Sequence, residues 1–415
     1  MMIRTVVLLT GCISLTLATF DETDLESSLI FSNTLLSKER LRWEWVGVNV
    51  NFPNSATRKI YETTGRYVAK NLVATRVQWL KHNGEVIVAI PRYKDGCAIT
   101  LAKTSIKQLK DESVVPIFQP YPNWNMQEEG NCDAIQSAVD IFFDTKTHQL
   151  WVLDSGVTNS LSQTKCYNRC PPKIVVINTN THTVTKVISL SGLVIPQSRL
   201  QHLVVETTKE GHKYVYVSDT DGYAIIVWDV KKSRGRRIVL PPEMYAERDG
   251  QTPDDLYMAL VHNVRDASIL YLTYFSSSRM FSIHTEFLHR DSGGRTTEVG
   301  VKPARMIILG VDGRSTIFFK YEGEGNVYQW NTHTAFSLQN FVLVHKNKDR
   351  LLPTHVTPSG FPNLMVGINS NFQDYLCHKS GSVGPTMSVF LFNSANTLIL
   401  NEKIPIPDRP LWPIL

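Results

Sequence analysis

The sequence offers several side-chain groupings that could do chemistry. Five cysteines, Cys97, Cys132, Cys166, Cys170 and Cys377, remain once an apolar leader carrying Cys12 is set aside. In an oxidising compartment such thiols pair as disulfides, and an odd count leaves at least one without an intramolecular partner. The pairing stays open, although Cys166 and Cys170 in CYNRC could close a tight local loop. A zinc site would want four ligands in two close pairs, which this spacing does not supply. HRDSGGR from His289 has the letters of a serine-protease nucleophile loop, yet it falls in a polar stretch without matching context and reads as a glycine turn. The acidic SDTDG from Ser218 fails the calcium-loop test, because counting from Asp219 puts Val230 where the bidentate glutamate belongs. KKSRGRR from Lys231 to Arg237 could hold a polyanion or be cut by a dibasic protease, but its ordinary reading is a solvated turn leading into a strand. None of these groups calls for a metal or a cofactor.

Where such groups meet depends on the elements that carry them. One pattern recurs six times: a short apolar run, a polar or small turn, then a second apolar run. The first runs are VIVAIPR from Val86, LWVLDSG from Leu150, YVYVSDT from Tyr214, LYLTYFS from Leu270, IFFKYEG from Ile317 and LMVGINS from Leu364. Their starts lie about 64, 64, 56, 47 and 47 residues apart, within or above the usual period of propeller blades. β-Branched and aromatic enrichment around Gly, Asp, Ser or Asn makes each pair of runs a β-hairpin. A further run precedes each hairpin, around Arg76, Asp140, Val204, Leu260, Ile307 and Thr354, and these six residues are expected to line a channel. TVTKVISL and GRRIVLP supply a fourth strand. The chain is therefore predicted to be all-β, a six-bladed β-propeller with four-stranded blades around a central channel. Trp79, Trp151, Trp228, Trp330, Phe318 and Phe319 are expected in the core between blades.

Composition agrees with a folded globular chain: 415 residues, 42% hydrophobic, with 43 basic and 38 acidic side chains. A net charge of +5 is too mild a bias to imply nucleic acid. Residues 1–18 read as a secretory signal peptide: MMIR precedes an apolar run from Thr5 to Ala18, with Thr16 and Ala18 small enough for cleavage. About 14 apolar residues are short for the roughly 20 that span a bilayer. The expected organisation is this leader, an N-terminal segment 19–71 whose LRWEWVGVNV supplies a ring-closing strand, a propeller over 72–404 and a proline-rich tail 405–415. That organisation predicts a secreted, extracellular protein with no membrane span after cleavage.

In ATRVQ followed by VIVAIPR, in PYPNWNMQEEGNCDAIQSAVDIFFDTKTHQLWVLDSG, in CPPKIVVINTNT, in YVYVSDTDGYAIIVWDV and in NVYQWNTHTAFSLQNFVLV, the chain resembles the insect yellow and major royal jelly protein family. The resemblance covers most of the mature chain. It implies a secreted six-bladed propeller and roles in pigmentation or in hardening of cuticle or eggshell. Departures are visible as well. Cys132 fits the family's first cysteine, but the cysteine usual before LWVLD is replaced within KTHQ, another before YVYVSD is missing, and Asn369-Ser370-Asn371 lacks the family's arginine.

Family members that bind biogenic amines do so through a threonine, an asparagine and an aromatic of the last blade, and Thr354, Asn369 and Phe372 are the nearest matches here. An aromatic face packs an indole or catechol ring, an amide and a hydroxyl fix polar groups, and Asp154 could pair an ammonium. Other members are linked to dopachrome isomerisation in melanin formation, a proton transfer needing one positioned base. His202 and His355 lie beside inner-strand positions and either could serve. The expected function is that of a yellow-like propeller binding a small catechol or indole amine in its channel, or acting in the extracellular matrix of cuticle or eggshell. The alternatives are a dopachrome isomerase and a calcium-dependent propeller hydrolase.

Overall fold

The computed structural model describes residues 42–105, 115–162, 166–248, 254–262, 268–290, 295–347, 351–382 and 384–394. The leader at 1–18 and the tail at 405–415 lie outside the described residues. Six antiparallel sheets follow one another along the chain. Their inner strands are Arg76–Leu80, Ala138–Asp144, Leu200–Thr207, Leu256–Val261, Met306–Val311 and Leu352–Pro358. Each inner strand neighbours the next, and the last returns to the first, so the sheets are blades around a closed ring. The hairpin runs form the second and third strands of every blade. The six-bladed all-β propeller is thus what the structure shows.

Blade six takes its fourth strand from the other end of the chain. Arg42–Trp45, inside the LRWEWVGVNV segment, pairs antiparallel with Met387–Asn393. Asn49–Val50 then lies parallel to Ile117–Pro120 on the outside of blade one. Between these strands the chain turns at Gly47, with φ +65°, where an added Cβ would stand 2.6 Å from the Ala69 carbonyl oxygen. Only glycine fits that approach.

Blades bury both faces against their neighbours, so their second strands read as nearly continuous apolar runs rather than as alternating ones. Between blades three and four pack Tyr216, Ile225 and Val227 against Met258, Leu270 and Leu272. Trp151 and Ile174 do the same between blades two and three, and Phe318 with Phe390 and Phe392 between five and six. Of the six aromatics expected in the core, Trp79, Trp151, Trp330, Phe318 and Phe319 are buried, and Trp228 is half-buried against the blade two–three cluster.

The cysteines pair differently from the tight loop considered above. The bond joins Cys132 to Cys170; among the described residues Cys166 and Cys377 are exposed free thiols and Cys97 is a buried one. A Cys166–Cys170 loop is prevented by the intervening backbone, since Tyr167–Asn168 runs extended against Val157–Thr158. KKSRGRR forms a turn and then the outer strand Arg234–Val239 of blade three. HRDSGGR begins at the end of the short helix Thr285–His289, and its residues 291–294 lie outside the described residues.

The closing strand should carry a large share of stability. Trp45 is buried, with its ring centroid 5.6 Å from that of Phe118. Trp45→Ala is expected to lower unfolding free energy by roughly 3–5 kcal/mol, whereas Ile60→Ala, on the exposed helix Ser55–Thr63, should change it by no more than about 0.5 kcal/mol. Urea unfolding of the two variants side by side measures both.

Candidate functional site

The inner strands enclose a cavity of about 990 Å³. Arg76, Asp140, His202 and Thr354 line it near the starts of their strands, beside the loops that join second to third strands. Toward the other end it is lined by Lys146, Lys209 and Gly313, in the turns joining inner to second strands. Leu203, Met258, Leu260, Ile308 and Val356 give it apolar walls.

Its loop-side end is built around an ion pair. Arg76 Nε lies 2.8 Å from Asp140 Oδ1, and both side chains are almost fully buried. Asp140 also accepts from the backbone N–H groups of Ile141 and Leu203. Burial alone would raise the Asp140 pKa, but the Arg76 charge beside it outweighs burial and holds the carboxyl well below the usual range. His202 Nδ1 is 3.3 Å from Arg76 Nη2; arginine can only donate, so this nitrogen is the acceptor and the proton sits on Nε2. His355 Nδ1 likewise accepts from Val77 N–H. Burial, and then the Arg76 charge, push the His355 pKa down to about 3. His355 is therefore a neutral group with its Nδ1 committed to Val77 N–H, which suits it to structure rather than to proton abstraction.

The local backbone explains how these side chains converge. The inner-strand register shifts between Ala138 and Asp140, between Leu200 and Leu203, and between Pro353 and His355. A bulge re-aims the side chain next to it, and Asp140, His202 and His355 each sit at one. The same effect moves the channel lining in blade five, where a shift between Ile308 and Gly310 brings Ile308 and Leu309 to the cavity. Ile307, expected there, packs between blades instead.

Outside the ion pair stands a ring of aromatic and acidic groups. Tyr93 packs its ring 5.9 Å from Phe372, and His202 lies 5.1 Å from Tyr257. Tyr257 donates to Asp255 at 3.1 Å. Asp255 also accepts from Gln201 and lies 3.3 Å from Arg199, which bonds Asp221 at 2.6 Å. Arg248 bridges Asp221 and Asp254. Three carboxylates thus face two guanidiniums within this network. Burial pushes the Tyr93 hydroxyl up to about 12, with Arg76 acting in the opposite sense, so it stays a neutral donor.

The sequence-predicted residues fall unevenly on this frame. Thr354 lines the cavity, and its carbonyl accepts from Arg76 at 3.3 Å. Asn369 sits on the neighbouring strand, paired with Pro353, where its amide donates to Ser388 Oγ at 3.0 Å. Its Oδ1 is buried and bonds to nothing among the described residues. Phe372 opens the helix Phe372–Leu376 and meets Tyr93. Asp154 does not join them. Fully buried in blade two, it accepts from the N–H groups of Gln136, Ser137 and Gly156 and lies 3.1 Å from Lys173 Nζ, so it is engaged by the loops on either side of its hairpin strands and by the third strand of its own blade. The carboxylate beside the aromatic ring is Asp255, which sequence reasoning missed. Its only signal was its place just before the inner strand Leu256–Val261.

The family model described as major royal jelly protein matches residues 136–360. Major royal jelly protein 9 of Apis mellifera is 24% identical over 337 residues, covering 75% of this chain and 75% of that one. Protein yellow of Drosophila melanogaster is 29% identical over 198 residues, covering 46% of this chain and 35% of its own. Among solved structures, a luciferin-regenerating enzyme aligns with a TM-score of 0.45 at 9% identity, covering 80% of this chain and 95% of that one.

The neutral buried histidines predict an acid-labile fold. His345, stacked on Phe390, is pushed down to about 4 by burial and by Arg42, and His355 to about 3. Both folded values lie below the unfolded value near 6.5, so the unfolded chain binds these protons more tightly. Their stabilisation is complete above about pH 6.5 and is lost as pH falls toward 4 and then 3, with a slope of up to about 1.4 kcal/mol per pH unit for each histidine. His355→Asn, which keeps an acceptor for Val77 N–H, should flatten the lower part of that dependence in unfolding curves recorded from pH 7 to 3.

Proposed function

The chain belongs to the major royal jelly protein family, and we propose that it is a secreted yellow-like propeller that binds a small catechol or indole amine at the loop-side mouth of its channel, in pigmentation or in cuticle or eggshell formation. The observation that carries this reading is the pairing of aromatic faces with a carboxylate at that mouth: Tyr93 with Phe372, and Tyr257 bonded to Asp255. A flat aromatic ring packs against the former, and its ammonium finds Asp255, whose network holds one more carboxylate than guanidiniums. The side chain of Asp255 is 40% exposed, so an incoming cation reaches it without opening the fold. On the cavity wall the Thr354 hydroxyl donates to the Ile368 carbonyl and keeps an oxygen that can accept from a ring hydroxyl or indole N–H, with the fully buried Asn369, its Oδ1 unbonded among the described residues, on the strand behind it.

An amine that binds only the native state raises the unfolding midpoint by mass action. Dopamine, serotonin and octopamine at about 100 times Kd would add about 2.7 kcal/mol of apparent stability, a shift of a few degrees. Asp255→Asn should abolish the shift, and Asn369→Ala should reduce it. No shift with any of the three amines would overturn the reading.

A further inference from the structure

A second cavity, of about 640 Å³, lies away from the channel and shares no lining residue with it. Its walls are the helix Ser55–Thr63, the loop 92–98 between the second and third strands of blade one, the segment 124–129 that leads from blade one to blade two, and Arg169. The volume is that of a small-molecule site. The helix buries none of its own residues, so core packing does not account for its place beside the cavity. Aromatic contacts hold it there. Tyr61 and Trp124 both pack on Phe52, with centroids 5.3 and 5.1 Å away, and Tyr67 backs Phe52 at 5.1 Å. Tyr61 and Trp124 are half-buried, stand 6.1 Å apart with their planes at 66°, and both line the cavity. Two aromatic faces are thus fixed in advance by the ring behind them.

The charges around these faces balance, with Arg66, Arg92 and Arg169 set against Asp95, Glu128 and Glu129. Most of them are already engaged. Arg66 lies over the Tyr61 ring at 4.3 Å and donates to its hydroxyl at 3.3 Å, and Arg169 pairs with Glu129 at 2.8 Å. Arg92, on the buried floor, donates to the carbonyls of Cys97, Ile135 and Gln136, and Asp95 accepts from Asn159. Other polar groups are left over. Among the described residues no hydrogen bond engages the side chains of Asn125 and Glu128 or the indole N–H of Trp124. An ammonium ion entering here would meet three guanidiniums, and a phosphate three carboxylates, so the lining favours neither. A ligand that answers this surface is uncharged, has an apolar flat side and carries hydroxyls around its edge. A pyranose ring has that form: its C–H face packs on an aromatic ring, and its hydroxyls both donate and accept.

We propose that this cavity binds a neutral pyranose oligosaccharide, with Trp124 and Tyr61 as stacking faces and Asn125 and Glu128 as partners of its hydroxyls. The Glu128 carboxylate accepts from hydroxyls, while the Asn125 amide and the Trp124 N–H donate to ring or hydroxyl oxygens. Bound between the helix and the blade loops, the sugar ties the N-terminal segment to the propeller. The inference does not rest on the amine reading, which concerns the channel mouth.

Isothermal titration of the full chain with cellotriose, maltotriose and triacetylchitotriose tests this assignment. At least one of the three should bind saturably, with a Kd of about 1 mM or tighter. Trp124→Ala should weaken that binding about 10-fold or more, and Trp124→Phe, which keeps an aromatic face on Phe52, should restore most of it. Glu128→Ala, at an exposed position, should also weaken binding while leaving the thermal midpoint unchanged, so that lost affinity is not lost fold. Saturable binding of none of the three sugars, or binding unaltered in Trp124→Ala or in Glu128→Ala, would overturn the proposal. Displacement of the sugar by dopamine that persists in Asp255→Asn would overturn it too, because the cavity would then be an amine site. Sugar binding that survives in Asp255→Asn separates this site from the channel mouth.

Discussion

Closure of the ring is the constraint on which everything else in this molecule depends. Arg42–Trp45 pairs with Met387–Asn393, and the seam is fastened by Gly47 N–H donating to Thr386 Oγ1, 339 residues away, and Thr386 N–H donating to the Trp45 carbonyl. Inside the ring, Ser370 Oγ donates to the Ala74 carbonyl at 2.6 Å. Without these contacts blade six would lack its outer strand and both ends of the sheet stack would be open edges. Contacts between such distant segments are costly to form and contribute only late in folding, which places the cooperativity of the whole propeller at this one seam.

The loop-side mouth sits on the same seam. Arg76 and Tyr93 come from blade one, and Thr354, His355, Asn369 and Phe372 from blade six. The contacts that bring the two sets together, Arg76 to the Thr354 carbonyl, Val77 N–H to His355 Nδ1 and Tyr93 to Phe372, all cross it. A site built there exists only in the closed ring, so ligand binding and ring closure are thermodynamically linked. Native-state ligands act on the least local part of the fold.

The architecture was legible in the sequence because each blade repeats the same apolar code and both faces of every blade are buried. Runs such as LWVLDSG and YVYVSDT carry that signal without help from tertiary context. Side-chain direction was another matter. Strand spacing put Asp140 on the channel, as observed, but nothing in the apolar run LWVLDSG says that Asp154 turns into its own blade instead. A bulge at Ala138–Asp140 sends Asp140 inward, while three N–H groups of the Gln136–Gly156 region and Lys173 claim Asp154. Arg92 and Tyr93 are adjacent loop residues with opposite fates. Arg92 is buried and donates to the carbonyls of Cys97, Ile135 and Gln136, among others, while Tyr93 packs across the seam on Phe372. The contact between His289 and Glu206 was invisible in the sequence because the two lie 83 residues apart on different blades.

The Arg76–Asp140 pair also divides the channel chemically. Both groups are buried, and Asp140 accepts from Arg76 and Ile141 N–H at Oδ1 and from Leu203 N–H at Oδ2. Removing one partner would leave a buried charge uncompensated, which costs several kcal/mol, so the pair is a fixed partition rather than an exchangeable contact. On one side of it the polar groups are hydroxyls, an amide and half-exposed carboxylates presented by loops. On the other they are imidazoles and a buried carboxylate presented by strand ends and the helix Thr285–His289. One closed ring thereby presents two ends of different chemistry.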